Sequence, residues 1–166
     1  MVRRKWRPLI VAVGLFFLVL AASLALFELG GHWKRRVLFF PGLEGLKLSG
    51  EARFLPPRSR LEERISQLAE EAVLGPMDPM LRRYLPRETS IQSVVVRQGV
   101  AYVSVSWHVL KGTPEYHGTT FDALQALADT ILYNFHRIRK LYLLVDGQIP
   151  TGMGEEGFFL DRKSFR

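Results

Sequence analysis

Residues 119–147 read TTFDALQALADTILYNFHRIRKLYLLVDG, and the fold is decided there. Between Phe121 and Phe135 the apolar residues Phe121, Leu124, Leu127, Ala128, Ile131, Leu132 and Phe135 recur at three- and four-residue steps, which puts them on one side of a helix. A stripe that wide has to be buried against something. Thr119 with Asp122 three residues later makes a capping-box start, and Arg137, Arg139 and Lys140 bring positive charge to the helix's negative end. Residues 141–145 (LYLLV) follow at once as a strand with both faces largely covered, with Asp146-Gly147 as its turn. Helix and strand are expected to share one core.

Working outward, the 166 residues leave room for one domain of ordinary size and an appendage at the start. Residues 9–27 (LIVAVGLFFLVLAASLALF) carry no charge, and 19 residues at about 1.5 Å each give about 29 Å, the depth of a bilayer's hydrocarbon core. A cleaved signal peptide is the rival, but the small-residue site Ser23-Leu24-Ala25 lies inside the apolar run rather than after it. The sequence therefore favours an uncleaved signal anchor over residues 9–29. Arg3, Arg4, Lys5 and Arg7 precede it and Lys34, Arg35 and Arg36 follow, a narrow excess that keeps residues 1–8 in the cytoplasm and exports the remainder.

The net charge of +7 does not mark a nucleic-acid binder. Residues 1–36 hold seven basic residues against one acid, Glu28, leaving 16 against 15 for the other 130. Basicity thus belongs to the membrane flanks, with no basic stripe on the globular part. Zero cysteines exclude a lipoprotein anchor, disulfides and thiolate metal sites.

Along the chain, Gly30, Gly31, Pro41 and Gly42 suit a juxtamembrane linker over residues 30–44, with Trp33 at the interface and Val37-Leu38-Phe39-Phe40 able to touch the membrane or the domain. Residues 46–48 and 52–55 are pieces of a first strand broken at Ser49-Gly50. Ser59 and Glu62 make a second capping box, opening a helix with Leu61, Ile65, Leu68, Ala72 and Val73 on one side and ending at Gly75-Pro76. An ordered, proline-containing loop holds Leu81, Tyr84 and Leu85. Residues 91–96 and 100–107 form a hairpin around Arg97-Gln98-Gly99. Residues 148–166 are a charged tail with an apolar patch at Phe158-Phe159-Leu160. The order strand, helix, strand, strand, helix, strand predicts an α+β two-layer sandwich, two helices on one face of a mixed sheet, over residues 45–147 and preceded by one transmembrane helix.

This succession resembles the GerMN domain, a module of sporulation and spore-germination proteins and of other bacterial envelope proteins. The resemblance lies in Glu63-Arg64-Ile65 leading to Leu74-Gly75-Pro76, in Leu85-Pro86 before Thr89, and in residues 94–106 (VVVRQGVAYVSVS). It continues through residues 126–135 (ALADTILYNF) and 143–147 (LLVDG), about residues 46–147 in all. It implies a membrane-tethered, extracytoplasmic domain working by protein contact, similar in build to the ring-building modules of secretion-type assemblies. Where the family commonly has Asp-Leu-Ser this chain has Ser104-Val105-Ser106, so no role for that aspartate carries over. The family also occurs as tandem domains, and this chain has room for one.

Residue types for a hydrolase exist in Ser104, Ser106, His108, His117 and Asp146, but no nucleophile elbow frames them, and alternating serines read as the wet face of a strand. No two histidines stand at H-x-x-x-H spacing, and His136 suits a helix end. Asp122 is explained by capping and Asp129 by a helix surface or a buried hydrogen bond, while Gly152-Met153-Gly154 lacks a phosphate-loop pattern and Arg82-Arg83 reads as loop solubility. No catalysis, cofactor or metal is expected. The expected function is a non-catalytic assembly or scaffold module of the cell envelope that meets protein partners or itself through Leu81, Tyr84, Leu85, Tyr102, Phe158 and Phe159. The alternatives are a wall glycan or peptide binder using Tyr102, Trp107 and Tyr116, and a small envelope hydrolase.

Overall fold

A computed structural model describes residues 7–29, 33–45, 47–150 and 159–161. The chain divides into two units, residues 1–33 and 34–166. In the first, α1 (Arg7–Leu29) is a helix of 23 residues, and every position from 11 to 25 is exposed. Among the described residues no helix is long and apolar enough to cross a membrane; residues 11–25, those of α1 with described side chains, span about 22 Å at 1.5 Å per residue.

The second unit begins earlier than expected. Residues 34–41 form β1 (Lys34–Pro41) instead of a linker, and pair antiparallel with β2 (Leu48–Leu55). The reason is burial, because Leu38 and Phe40 alternate into the core at 0% exposure. No bulge interrupts β2: Gly50 stands opposite Phe39, and a Cβ there would lie 2.9 Å from Val37 Cγ1, so it passes a neighbouring side chain closely.

The main sheet runs β3–β4–β5–β6, with β3 (Ile91–Arg97) antiparallel to β4 (Val100–Val105), β4 parallel to β5 (Lys140–Val145) and β5 antiparallel to β6 (Phe159–Asp161). Part of the expected tail is therefore a fourth strand, which buries Leu160. The hairpin turn has two residues, Gln98 and Gly99, both at positive φ, and the structure closes it with Arg139 N–H donating to Gly99 O at 2.7 Å. Ala101, Val103 and Val105 on β4 pair with Leu141, Leu143 and Val145 on β5, and all six side chains face the core. Against that core pack α2 (Leu61–Leu74), through Ile65, Leu68, Ala69, Ala72 and Val73, and α3 (Thr120–Asn134), through Leu124, Leu127, Ile131 and neighbours. The fold is thus α+β with mixed strand directions, as expected, but the strands form two sheets rather than one: the expected first strand pairs with β1 in a separate two-stranded sheet, and β6 adds a strand after β5.

Helix α3 also holds the free edge of β1. Thr130 Oγ1 and Asn134 Oδ1 accept the N–H groups of Phe39 and Val37, both at 3.0 Å, and Asn134 Nδ2 donates to Val37 O at 2.6 Å. Side chains on a helix do here what a third strand would do, so the edge is closed.

Candidate functional site

The residue types of a hydrolase do gather, at the ends of β4 and β5. A bulge in β3 leaves Gln92 outside the ladder, between the pairs Ile91 with Val105 and Ser93 with Ser104, and a bulge re-aims a side chain. Gln92 Oε1 accepts the Ser104 hydroxyl at 2.8 Å, and Gln92 Nε2 donates to Asp146 Oδ1 at 2.5 Å. Ser104 Oγ in turn accepts Gly147 N–H at 2.9 Å, and Asp146 Oδ1 accepts Trp107 N–H at 3.2 Å. Three strands are tied into one closed circuit.

A serine nucleophile must pass its proton to a base, and here the proton points to an amide oxygen that cannot take it. Ser104 is 3% exposed. Ser106 Oγ accepts Ser90 N–H at 3.0 Å, and Ser106 N–H donates to Ser90 O at 2.9 Å. The alternating serines are therefore buried and bonded, not a wet face. His108 stacks on Trp107 with ring centres 4.3 Å apart, while Lys111 Nζ lies 4.6 Å from the Trp107 ring centre. His117 and His136 are exposed. Among the described residues no three His, Asp or Glu side chains come together to hold a metal ion. Gln92 is the member that sequence reasoning missed, because only strand pairing reveals a bulge.

Burial sorts the expected partner residues. Tyr84 and Leu85 are 1% and 0% exposed and belong to the core, which removes them from any surface. Burial pushes the Tyr84 hydroxyl well above the ordinary tyrosine range. The Thr130 hydroxyl beside it donates to Ala126 O and accepts Phe39 N–H. Leu81 is half-buried and bridges Gly42. Phe158 lies outside the described residues, and Phe159 is placed only as the register position opposite Tyr142. Tyr102 stays outside, on the sheet face opposite the helices. There Val95, Tyr102 and Tyr142 are successive cross-strand partners on β3, β4 and β5, and the two tyrosine rings stack at 5.1 Å with planes 10° apart. The three aromatics named for wall binding take different neighbours: Tyr102 stacks on Tyr142, Trp107 on His108, and Tyr116 meets the buried Tyr84 ring at 6.4 Å.

The two arginines expected to serve loop solubility also separate. Arg82 donates to Glu115 O at 3.3 Å. Arg83 reaches back to the end of α2, donating to Val73 O and Leu74 O. Arg53, 7% exposed, completes that end by donating to Glu71 O at 3.2 Å and Gly75 O at 2.5 Å and by pairing with Glu51 and Glu71 at 2.7 and 2.9 Å. Burial by itself would raise the Glu51 carboxyl, but the N–H groups of Asp78 and Met77 and the Arg53 guanidinium outweigh it and hold it below the usual range.

The family model for sporulation and spore germination domains, named Germane, matches residues 37–150. Among curated proteins no sequence matches significantly. In fold the chain is similar to the tandem GerMN domains of the sporulation protein GerM from Bacillus subtilis, at TM-score 0.58 and 21% identity over 80% of this chain and 47% of that one. The chain thus spans about half the length of the tandem structure. It is also similar to the first GerMN domain of the same protein, at TM-score 0.56 and 21% identity over 78% of this chain and 98% of that one. A putative lipoprotein from Clostridium perfringens is similar at TM-score 0.51 and 18% identity, over 80% of this chain and 90% of that one. With the family model covering well over half of the sequence, the chain belongs to the Germane family, and its folded unit is a GerMN-family, sporulation-related domain.

Proposed function

We propose that this protein is a membrane-anchored, non-catalytic assembly module whose GerMN domain works outside the cytoplasm, at the bacterial cell envelope. The observation that carries this reading is the open sheet face. Val95 and Tyr102 are 45% and 38% exposed and lie in register with Tyr142 on rigid strands, and tyrosine supplies large contact area at low entropic cost. The Ser104 and Ser106 hydroxyls and the Asp146 carboxylate are committed to bonds within the fold. Anchoring is supported by the charge-free residues 9–27 and by α1, where Phe16, Phe17, Leu18 and Val19 all stay more than half exposed.

A photo-crosslinkable residue at Tyr102, used in the full chain in its own membranes, tests the reading. A discrete protein adduct is expected at Tyr102, lost with Val95→Arg, and absent when the probe replaces the exposed Tyr133 on α3. Resistance of the chain to alkaline carbonate extraction tests the anchor. A chain that stays monomeric at every probe site and retains wall fragments would overturn the scaffold in favour of wall binding.

A further inference from the structure

The start of the domain concentrates positive charge with no acidic side chain beside it. Lys34 and Arg36 on β1, Arg58 ahead of α2 and Arg64 on its first turn line one pocket of about 70 Å³. Gln67 adds an amide, and Leu55 with Pro56 and Pro57 forms an apolar wall. No acidic side chain lines it, and none of the four cations has an ion-pair partner among the described residues. Arg36 keeps its place by donating to Asn134 O at 3.1 Å and lying 4.7 Å over the Phe135 ring. Burial and the like charge of Arg64 lower its guanidinium below the ordinary value. Four like charges around one hollow repel one another, and an anion between them turns repulsion into attraction.

Chain length says which anion is at hand. Only residues 30–33 separate the end of α1 from Lys34, and five residue steps reach at most about 18 Å. If α1 is in the bilayer, Lys34 is tethered within that distance of the hydrocarbon edge. Trp33, 62% exposed and next in sequence, is a residue that prefers the headgroup layer. We infer that the pocket of Lys34, Arg36, Arg58 and Arg64 holds the phosphate of an anionic phospholipid headgroup, with the Leu55–Pro57 wall against its glycerol. This choice of ligand rests on the anchored reading given above. The contact would fix how the domain stands on the membrane and so which way its open sheet face points.

The test is calorimetric titration of the full chain in neutral detergent with short-chain phosphatidylglycerol, with short-chain phosphatidylcholine and inorganic phosphate as separate arms. Saturable binding of phosphatidylglycerol alone is expected. Each cation near an anionic headgroup is worth about fivefold, so Arg58→Gln should weaken it about fivefold and Arg58→Gln with Arg64→Gln about thirtyfold. Arg58→Glu, at an exposed position, should weaken it further than Arg58→Gln, and Arg97→Gln on β3 should change nothing. Equal binding of phosphatidylcholine, equally tight binding of free phosphate, or unchanged affinity in the double variant would overturn the proposal. Carbonate extraction reports on the anchor independently: a chain that washes off membranes yet binds phosphatidylglycerol selectively removes the anchor and keeps the pocket.

Discussion

The two core helices are built alike and finished differently. Helix α3 opens on a cap written in adjacent residues: Thr119 Oγ1 accepts Asp122 N–H at 3.2 Å, and Asp122 Oδ2 accepts Thr119 N–H at 2.7 Å. Helix α2 has no side-chain cap at its start, where Arg60 is the N-cap and the expected Ser59 box does not form. Its other end is closed by Arg53 and Arg83, from 18 or more residues before Glu71 and about 10 after Val73. One helix is completed by its own neighbourhood, and the other by the fold around it. A local cap forms with its helix, whereas a guanidinium cap needs β2 and the loop after α2 in place first.

Breaking the long-range closure should cost most. Arg53→Met strands Glu51 and Glu71 beside one another and frees two carbonyls, and a loss of about 3 kcal/mol is expected in chemical denaturation. If the loss is under about 1 kcal/mol, α2 does not depend on that end. Asn134→Ala removes both partners of Val37 and reopens the edge of β1, for about 2 kcal/mol, with faster amide exchange at Val37 as the specific sign. Thr119→Ala, which removes a local cap alone, should cost about 1 kcal/mol.

Acid sharpens the same contrast. Glu51 has a folded pKa held below its unfolded value, so its contribution is complete above the ordinary glutamate range and is lost as pH falls through the lowered folded value. Protection of the Met77 and Asp78 amides, measured against their intrinsic exchange rates, should therefore fall at acid pH before that of the core amides of α3. The smallest effect is assigned to Ser59→Ala, within about 0.5 kcal/mol of wild type, because no cap hydrogen bond is there to lose. A drop comparable to that of Thr119→Ala would restore the local cap and erase the difference between the helices.

Much of the site was beyond the reach of sequence for the same reason. Ser104 and Asp146 are both visible as polar residues at strand ends, yet the residue joining them, Gln92, lies 12 positions from one and 54 from the other. Its role comes from the bulge between Ile91 and Ser93, which is a property of the β3–β4 register and not of any short window. Tyr84 and Tyr102 look equivalent in sequence, and only packing puts the first at 1% exposure beside Phe40 and the second on the open face beside Tyr142. Residues 34–41 start with charge and end on Pro41 just before Gly42, a composition that reads as a linker; docking on α3 makes them a strand.

What the sequence determined by itself are the features governed by short spacing: the amphipathic stripes of α2 and α3, except Phe121, which is 49% exposed, the Thr119 cap, the tight turn at Gln98-Gly99, the alternation along β4, and the family signature carried by their order. What the tertiary structure decided are the pairings between distant segments: β1 on α3, β6 on β5, Arg53 and Arg83 on the end of α2, and the four cations around one pocket. The division has a physical cause. Helix periodicity and turn geometry are set by neighbours within about four residues, whereas burial and long-range hydrogen bonds depend on which surfaces meet once the core has closed.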